Sequence, residues 1–320
     1  MDVSPQIQTH LPAQQGGTVV NASACDIKKF IKRVGIIVMP SGPIKKKKGS
    51  AYITKNNIDW FDARGVEVIP IPYNASPATI RYYFKRINGL YMQGGPGYDI
   101  SYIKTCKYFL KLAVDANKRG DYFPVWGTCH GFQMFIMLFG RMYPMDDLDA
   151  QNSYMSHVVF TEDAVKSRLY RSFPMELLEY MTQPKHIFFS HRYGVKTNTF
   201  YENPYLPKLF RALTTSKDRK GVSYISTIEA RDFPFYGVQF HPERQPVMEP
   251  FKDFLVGELL KNEHELLPID WKHRMLEKKT PCPESKQFHE LYKIQRCATR
   301  RNPKFHRIFQ ASGCVFFDIK

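Results

Sequence analysis

Several absences narrow the possibilities first. No apolar run approaches the ~18 residues that a membrane-spanning helix needs. The opening stretch, MDVSPQIQTHLPAQQGG, is polar and lacks the apolar core of a secretory leader, so a cytoplasmic chain is expected. None of the six cysteines (Cys25, Cys106, Cys129, Cys282, Cys297 and Cys314) stands in C-x-x-C spacing. A zinc ribbon or a thioredoxin-type site is therefore not expected, and neither are disulfides without a leader. Asn21-Ala-Ser and Asn74-Ala-Ser fit the glycosylation pattern by chance alone on that reading. There is no G-x-G-x-x-G run, which argues against a dinucleotide site, and there is no internal repeat. Acidic residues are scarce: 30 Asp and Glu face 46 Lys and Arg, a net charge of +16. Such a surface favours polyanions or simply keeps the chain soluble, and composition leaves both open.

What is present is a folded chain of 320 residues, 43% hydrophobic and 24% charged. Residues 1–32 read as a polar extension, 33–263 as the one folded domain and 264–320 as a C-terminal extension mixing charge, proline and small apolar clusters. Within the middle part, strand and helix patterns alternate. Val34–Met39, Val66–Ile71, Gly89–Met92 and Phe123–Trp126 read as buried strands. Helices are expected over about 51–63, 77–86 and 102–118, the last with apolar positions stepping by three and four. Further strands are expected at Ser156–Phe160, His186–Ser190, Val222–Ile228 and Phe235–Phe240, with a closing helix from Phe251 to Asn262. The pattern predicts an α/β fold, a doubly wound and mostly parallel sheet flanked by helices, with sites at the carboxyl ends of strands.

Two segments carry chemistry. In Phe123-Pro-Val-Trp-Gly-Thr-Cys-His-Gly-Phe-Gln133 a strand runs into Gly127, Cys129 stands at the turn and Gly131 opens an apolar helix. That is the G-x-nucleophile-x-G elbow, which exposes a sulfur at a helix N-terminus, where the dipole favours the thiolate. In Phe235-Tyr-Gly-Val-Gln-Phe-His-Pro-Glu243 a strand leads to His241, with Glu243 two residues on and facing the same way if the chain stays extended. A carboxylate beside an imidazole fixes its tautomer and stabilises the imidazolium, so Cys129, His241 and Glu243 are a candidate triad.

Cys-x-Gly-x-Gln with His-Pro-Glu resembles the class I glutamine amidotransferase superfamily, a flavodoxin-like fold. Within it, Trp60–Ile71, Ile87-Asn-Gly89 leading to Gly94-Gly95, Phe123–Phe132, Leu213-Thr-Thr with Tyr224–Glu229, and Phe235–Arg244 together resemble the gamma-glutamyl hydrolases. The match spans about 34–262, with a faint echo at Cys314–Asp318. The resemblance implies a cysteine hydrolase that cuts γ-glutamyl amide bonds, of folate poly-γ-glutamates or related compounds, through a thioester. It implies an oxyanion hole from the backbone of His130 and of Gly94-Gly95. It also implies a substrate site with His191 and Tyr52, where His191 acts as a cation or donor toward a carboxylate or the leaving glutamate. No metal or organic cofactor is expected, nor a nucleic-acid or membrane partner; a homodimer is left open. Two residues depart from the family pattern: His130 replaces Leu, and Gln133, the residue true amidotransferases carry, replaces Glu. The family is typically secreted or lysosomal, against the cytoplasmic expectation. A glutaminase feeding ammonia to a partner and a non-catalytic basic binding protein are the alternatives. The Lys45–Lys48 run reads as a solvated loop or a collar for a polyanion.

Overall fold

The computed structural model describes residues 32–40, 50–95, 99–141 and 143–269, and the backbone of 289–293. The Lys45–Lys48 run, Cys25, Cys282, Cys297 and the Cys314–Asp318 echo lie outside the described residues. The strands are β1 (Arg33–Ile37), β2 (Met39–Pro40), β3 (Ser50–Thr54), β4 (Glu67–Ile71), β5 (Gly89–Met92), β6 (Val125–Thr128), β7 (Asp146–Ser156), β8 (Val159–Phe160), β9 (Ile187–Gly194), β10 (Phe210–Lys217), β11 (Ser223–Ala230), β12 (Phe235–Val238) and β13 (His289–Lys293). Eight of them form one sheet in the order β4-β1-β5-β6-β12-β11-β10-β8. Pairing is parallel from β4 through β12 and antiparallel from β12 to β8.

The central strands are short and apolar throughout. All four residues of β5, β6 and β12 are buried, because helices cover both faces of a parallel sheet and neither face can be polar. The helices are α1 (Lys55–Asp62), α2 (Pro77–Phe84), α3 (Ile100–Lys118), α4 (His130–Phe139), α5 (Met175–Thr182), α6 (Thr197–Glu202), α7 (Leu206–Leu209) and α8 (Glu249–Leu260). α3 starts where the Asp99 carboxylate accepts from the backbone N–H groups of Ser101 (2.7 Å) and Tyr102 (3.3 Å). α4, by contrast, has all ten residues buried, as its apolar sequence on every side requires.

Two expectations need correction, and one strand was not expected. Residues 51–54 are strand rather than helix. Ala51, Tyr52 and Ile53 are buried in succession, and Met39 of β2 pairs with Tyr52 while β13 pairs along the other edge. Consecutive burial of β-branched and aromatic side chains suits a strand, not an amphipathic helix. The strand expected at Ser156–Phe160 is the junction of two: the long, mostly polar β7 pairs antiparallel with β9, interrupted by register shifts, and β8 then joins the main sheet. Asn152 and Ser153 take positive φ there, which breaks the period-two pattern that would reveal a strand. β10, hidden in Arg-Ala-Leu-Thr-Thr-Ser, pairs with β8 on one side and β11 on the other.

Candidate active site

Adjacent parallel strands β5, β6 and β12 end side by side, with Met92 opposite Gly127 and Thr128 opposite Val238. Their three following loops therefore converge: Gln93-Gly94-Gly95 after β5, Cys129 after β6, and Gln239-Phe240-His241 after β12.

Cys129 occupies the turn between β6 and α4 at φ 51° and ψ −99°, a conformation that costs an L-residue of order 1–3 kcal/mol. Two backbone bonds hold it there. Its N–H donates to the Val238 carbonyl (2.7 Å), and its carbonyl accepts from the Gln133 N–H (3.0 Å). The helix start can lie this close to β5 only because residue 131 is glycine: a Cβ on it would come within 2.0 Å of the Met92 carbonyl oxygen. The sulfur lies 4.0 Å from the Ser190 carbonyl oxygen on β9.

His241 is buried, and its N–H donates to the Phe188 carbonyl at 3.2 Å, which ties the β12 loop to β9. Its Nδ1 lies 2.8 Å from Glu243 Oε1; a carboxylate accepts, so Nδ1 carries the proton. The ring also lies close enough to the Cys129 sulfur to interact with it electrostatically. Burial works to lower its pKa, but the Glu243 carboxylate, and then the sulfur, outweigh that and hold it at about 9. Glu243 reaches the ring by a different route from the one expected. The chain is not extended after His241 but enters a 3-10 turn, Pro242–Arg244, because the proline ring fixes φ near the helical value. The turn brings the carboxylate back onto the imidazole.

A pH prediction follows. In Glu243→Gln the burial of His241 is less opposed, so its pKa falls. If the working form is thiolate beside imidazolium, the alkaline limb of the kcat/KM profile should move down by a unit or more. A limb that stays in place in a pH–rate series would show that Glu243 does not support the imidazolium.

Gly94 lies against both groups: a Cβ there would stand 2.7 Å from His241 Cε1 and 3.3 Å from Cys129 Cβ. Gly95 abuts Met39, whose side chain a Cβ would meet at 2.8 Å. His130 is the first residue of α4, directly after the sulfur, while its side chain turns into the core beside Tyr102, ring centroids 5.3 Å apart. Burial pushes that imidazole down to about 3, so it is neutral. Tyr52 is buried close enough to Arg244 and Cys129 to feel both charges; burial raises its pKa, Arg244 opposes this and Cys129 adds to it. His191, on β9, is buried next to Ser190, and its Nδ1 lies 3.0 Å from the Tyr193 carbonyl.

Three contributors escape a reading of the sequence. Arg244 follows Glu243 at 3.9 Å and lies 5.1 Å from the Phe188 ring centre. The Ser190 carbonyl is a backbone atom and leaves no trace in residue type. Gln93 holds the glycine loop: Nε2 donates to the carbonyls of Ile37 (3.3 Å) and Tyr52 (3.0 Å), while Oε1 accepts from Thr54 N–H (3.2 Å) and Asn57 Nδ2 (3.2 Å). The available signal was a glutamine directly after the apolar Gly-Leu-Tyr-Met. Gln93→Ala would strand those four buried groups and should cost about 2–3 kcal/mol of stability by chemical denaturation. It should also lower kcat by loosening Gly94.

Among the described residues no cluster of three or more His, Cys, Asp or Glu side chains could hold a metal ion. No helix among them is long and apolar enough to cross a membrane.

Residues 50–256 match the family model for glutamine amidotransferase class-I. Gamma-glutamyl hydrolase B of Dictyostelium discoideum is 31% identical over 225 residues, which cover 69% of this chain and 65% of that relative. The gamma-glutamyl hydrolase of Mus musculus is 31% identical over 250 residues, covering 72% of this chain and 78% of that one. That of Homo sapiens is 32% identical over 217 residues, 67% of each.

Proposed function

This chain belongs to the gamma-glutamyl hydrolase family within the class-I glutamine amidotransferases, and from that premise we propose that it hydrolyses γ-glutamyl amide bonds with Cys129 as nucleophile. The observation that carries this reading is the placement of His241, its Nδ1 bonded to Glu243 and its ring within electrostatic reach of the Cys129 sulfur.

The thiolate attacks the γ-carbonyl carbon, and the carbonyl π electrons move onto oxygen. Backbone N–H groups at His130 and at the Gly94-Gly95 loop receive that oxyanion. As the tetrahedral centre collapses, the C–N bond breaks and His241 gives its proton to the departing nitrogen. The product amine leaves and a γ-glutamyl thioester remains on Cys129. Neutral His241 then takes a proton from water, whose oxygen attacks the thioester; collapse frees the γ-carboxylic acid and returns the thiolate beside imidazolium. Glu243 keeps the His241 Nδ1 proton in place throughout and steadies the cation. Tyr52 lies within electrostatic reach of both Arg244 and Cys129, and the chain's net charge of +16 suits a tail with a carboxylate on every residue.

Incubation with a defined folate pentaglutamate, followed by chromatography of the products, tests this. Shortened folates with glutamate or short glutamate peptides are expected, and an intact pentaglutamate would sink the reading. Gln133 supports a second activity, glutaminase action on free glutamine, and ammonia release from glutamine in the same preparation decides between the two.

A further inference from the structure

The Tyr193 carbonyl oxygen can only accept hydrogen bonds, so His191 Nδ1, 3.0 Å away, must carry a proton. The same carbonyl accepts from Gln133 Nε2 at 2.6 Å. Gln133 is thus a brace on the atom that sets the tautomer of His191. If the ring is neutral, Nε2 is a bare lone pair. Neutrality follows from the surroundings. The ring is only 4% exposed and packs against Tyr224 and Phe189, with centroids 5.1 and 5.8 Å away. Burial pulls its pKa down to about 3; the Tyr193 carbonyl and Asp218 oppose this, and the nearby His241 adds to it.

His191 Nε2 is buried and has no hydrogen-bond partner among the described residues. A buried acceptor without a donor is costly, and such groups are normally satisfied. This one lies in the residue after Ser190, whose carbonyl faces the Cys129 sulfur, and within electrostatic reach of His241. A donor is missing beside the residue whose carbonyl faces the sulfur. The expectation that His191 meets a carboxylate as a cation does not fit this site: a neutral ring whose only N–H is committed to Tyr193 has nothing to offer an anion.

We propose that His191 is a neutral hydrogen-bond acceptor, held in the Nδ1–H tautomer by the Tyr193 carbonyl, that reads an N–H group of the bound γ-glutamyl substrate. The inference rests on the γ-glutamyl hydrolase function proposed above. Two substrate groups share that chemistry, the α-nitrogen of the glutamyl unit and the N–H of the scissile amide.

The first test is 15N NMR of the full chain labelled at histidine, at pH 7. The His191 ring is expected to show a protonated Nδ1 and an unprotonated Nε2; an Nε2–H tautomer or an imidazolium would overturn the proposal. The second test compares the wild type, His191→Met and His191→Gln on three compounds. These are γ-glutamyl-4-nitroanilide, glutaryl-4-nitroanilide (no α-nitrogen) and glutamate γ-methyl ester (no leaving N–H). His191→Met, without an acceptor, should lower kcat/KM for γ-glutamyl-4-nitroanilide about 100-fold. His191→Gln, which keeps one, should recover most of that loss. The analogue that lacks the N–H being read should be nearly indifferent to His191→Met. Indifference of the glutaryl compound assigns the α-nitrogen, and indifference of the ester assigns the scissile amide. Equal losses on all three, or no recovery in His191→Gln, would overturn the proposal. Failure of the wild type to turn over any of the three would instead sink the hydrolase function and with it the recognition step, leaving the tautomer to the NMR alone.

Discussion

Cys129→Ala should leave a folded chain whose turnover has dropped by at least ~10⁴-fold, because no other group at the site can form the acyl intermediate. Near-normal hydrolysis by this variant would remove Cys129 from the chemistry. The thiol should also stand out in labelling. Of the two cysteines among the described residues, Cys106 is buried in the core, and burial pushes its thiol well above the usual range. Cys129 sits against the His241 ring. Iodoacetamide should therefore modify Cys129 before Cys106, by peptide mass mapping, and a γ-glutamyl ligand should slow it. The backbone at this position adds a stability readout. At φ 51° and ψ −99° the turn strains any residue with a Cβ, whereas glycine adopts it more easily. Cys129→Gly should be as inactive as Cys129→Ala yet melt at a higher temperature, and a lower melting point would mean that the turn carries little strain.

The other large effect is on folding. Gly131→Ala places a carbon 2.0 Å from the Met92 carbonyl oxygen and 2.7 Å from its carbon. Both are backbone atoms in the middle of the sheet and cannot swing aside. Either α4 lifts off β5 or β5 shifts; the first opens the elbow and the second moves Gly94 away from His241. A loss of ~3 kcal/mol or more is expected, with little soluble protein or a melting temperature lowered by several degrees. A variant with wild-type stability would show that α4 and β5 are not in this close contact. Gly95→Ala makes a useful contrast. Its new carbon meets the Met39 side chain, Cγ and Cε at 2.8 Å each, rather than backbone, so that variant should lose much less stability than Gly131→Ala.

The site was legible where local geometry dictates residue type. An elbow demands small residues on both sides of the nucleophile, a strand before it and an apolar helix after it, and residues 123–139 carry all of these. His241 and Glu243 were legible as partners but not in their conformation, since proximity survives whether the chain is extended or turned at Pro242. The sheet's parallel half was readable from its continuously apolar strands. β7 was not, because a ribbon outside the main sheet has no need of a buried face and its bulges scramble the alternation. The charge of His191 was beyond reach for another reason. It depends on a carbonyl two residues on and on burial against Tyr224 from another strand, neither of which residue type encodes. Gln93 falls between these cases: a polar residue closing an apolar strand is a visible anomaly whose four partners only the fold identifies.

The position of β12 has a consequence for how activity arises. It lies in the middle of the sheet, between β6 and β11, yet it is the last of the eight strands in the chain. Until it is inserted, the sheet has a gap, the Cys129 N–H lacks its Val238 acceptor and His241 is absent altogether. During synthesis the sulfur is therefore made long before it can act. No fragment that stops short of residue 243 can cut anything by this mechanism, and separately made halves should become active only on reassociation. Closing the gap is a long-range step with a high entropic barrier, so the appearance of activity should be among the slowest events in refolding and should coincide with completion of the sheet.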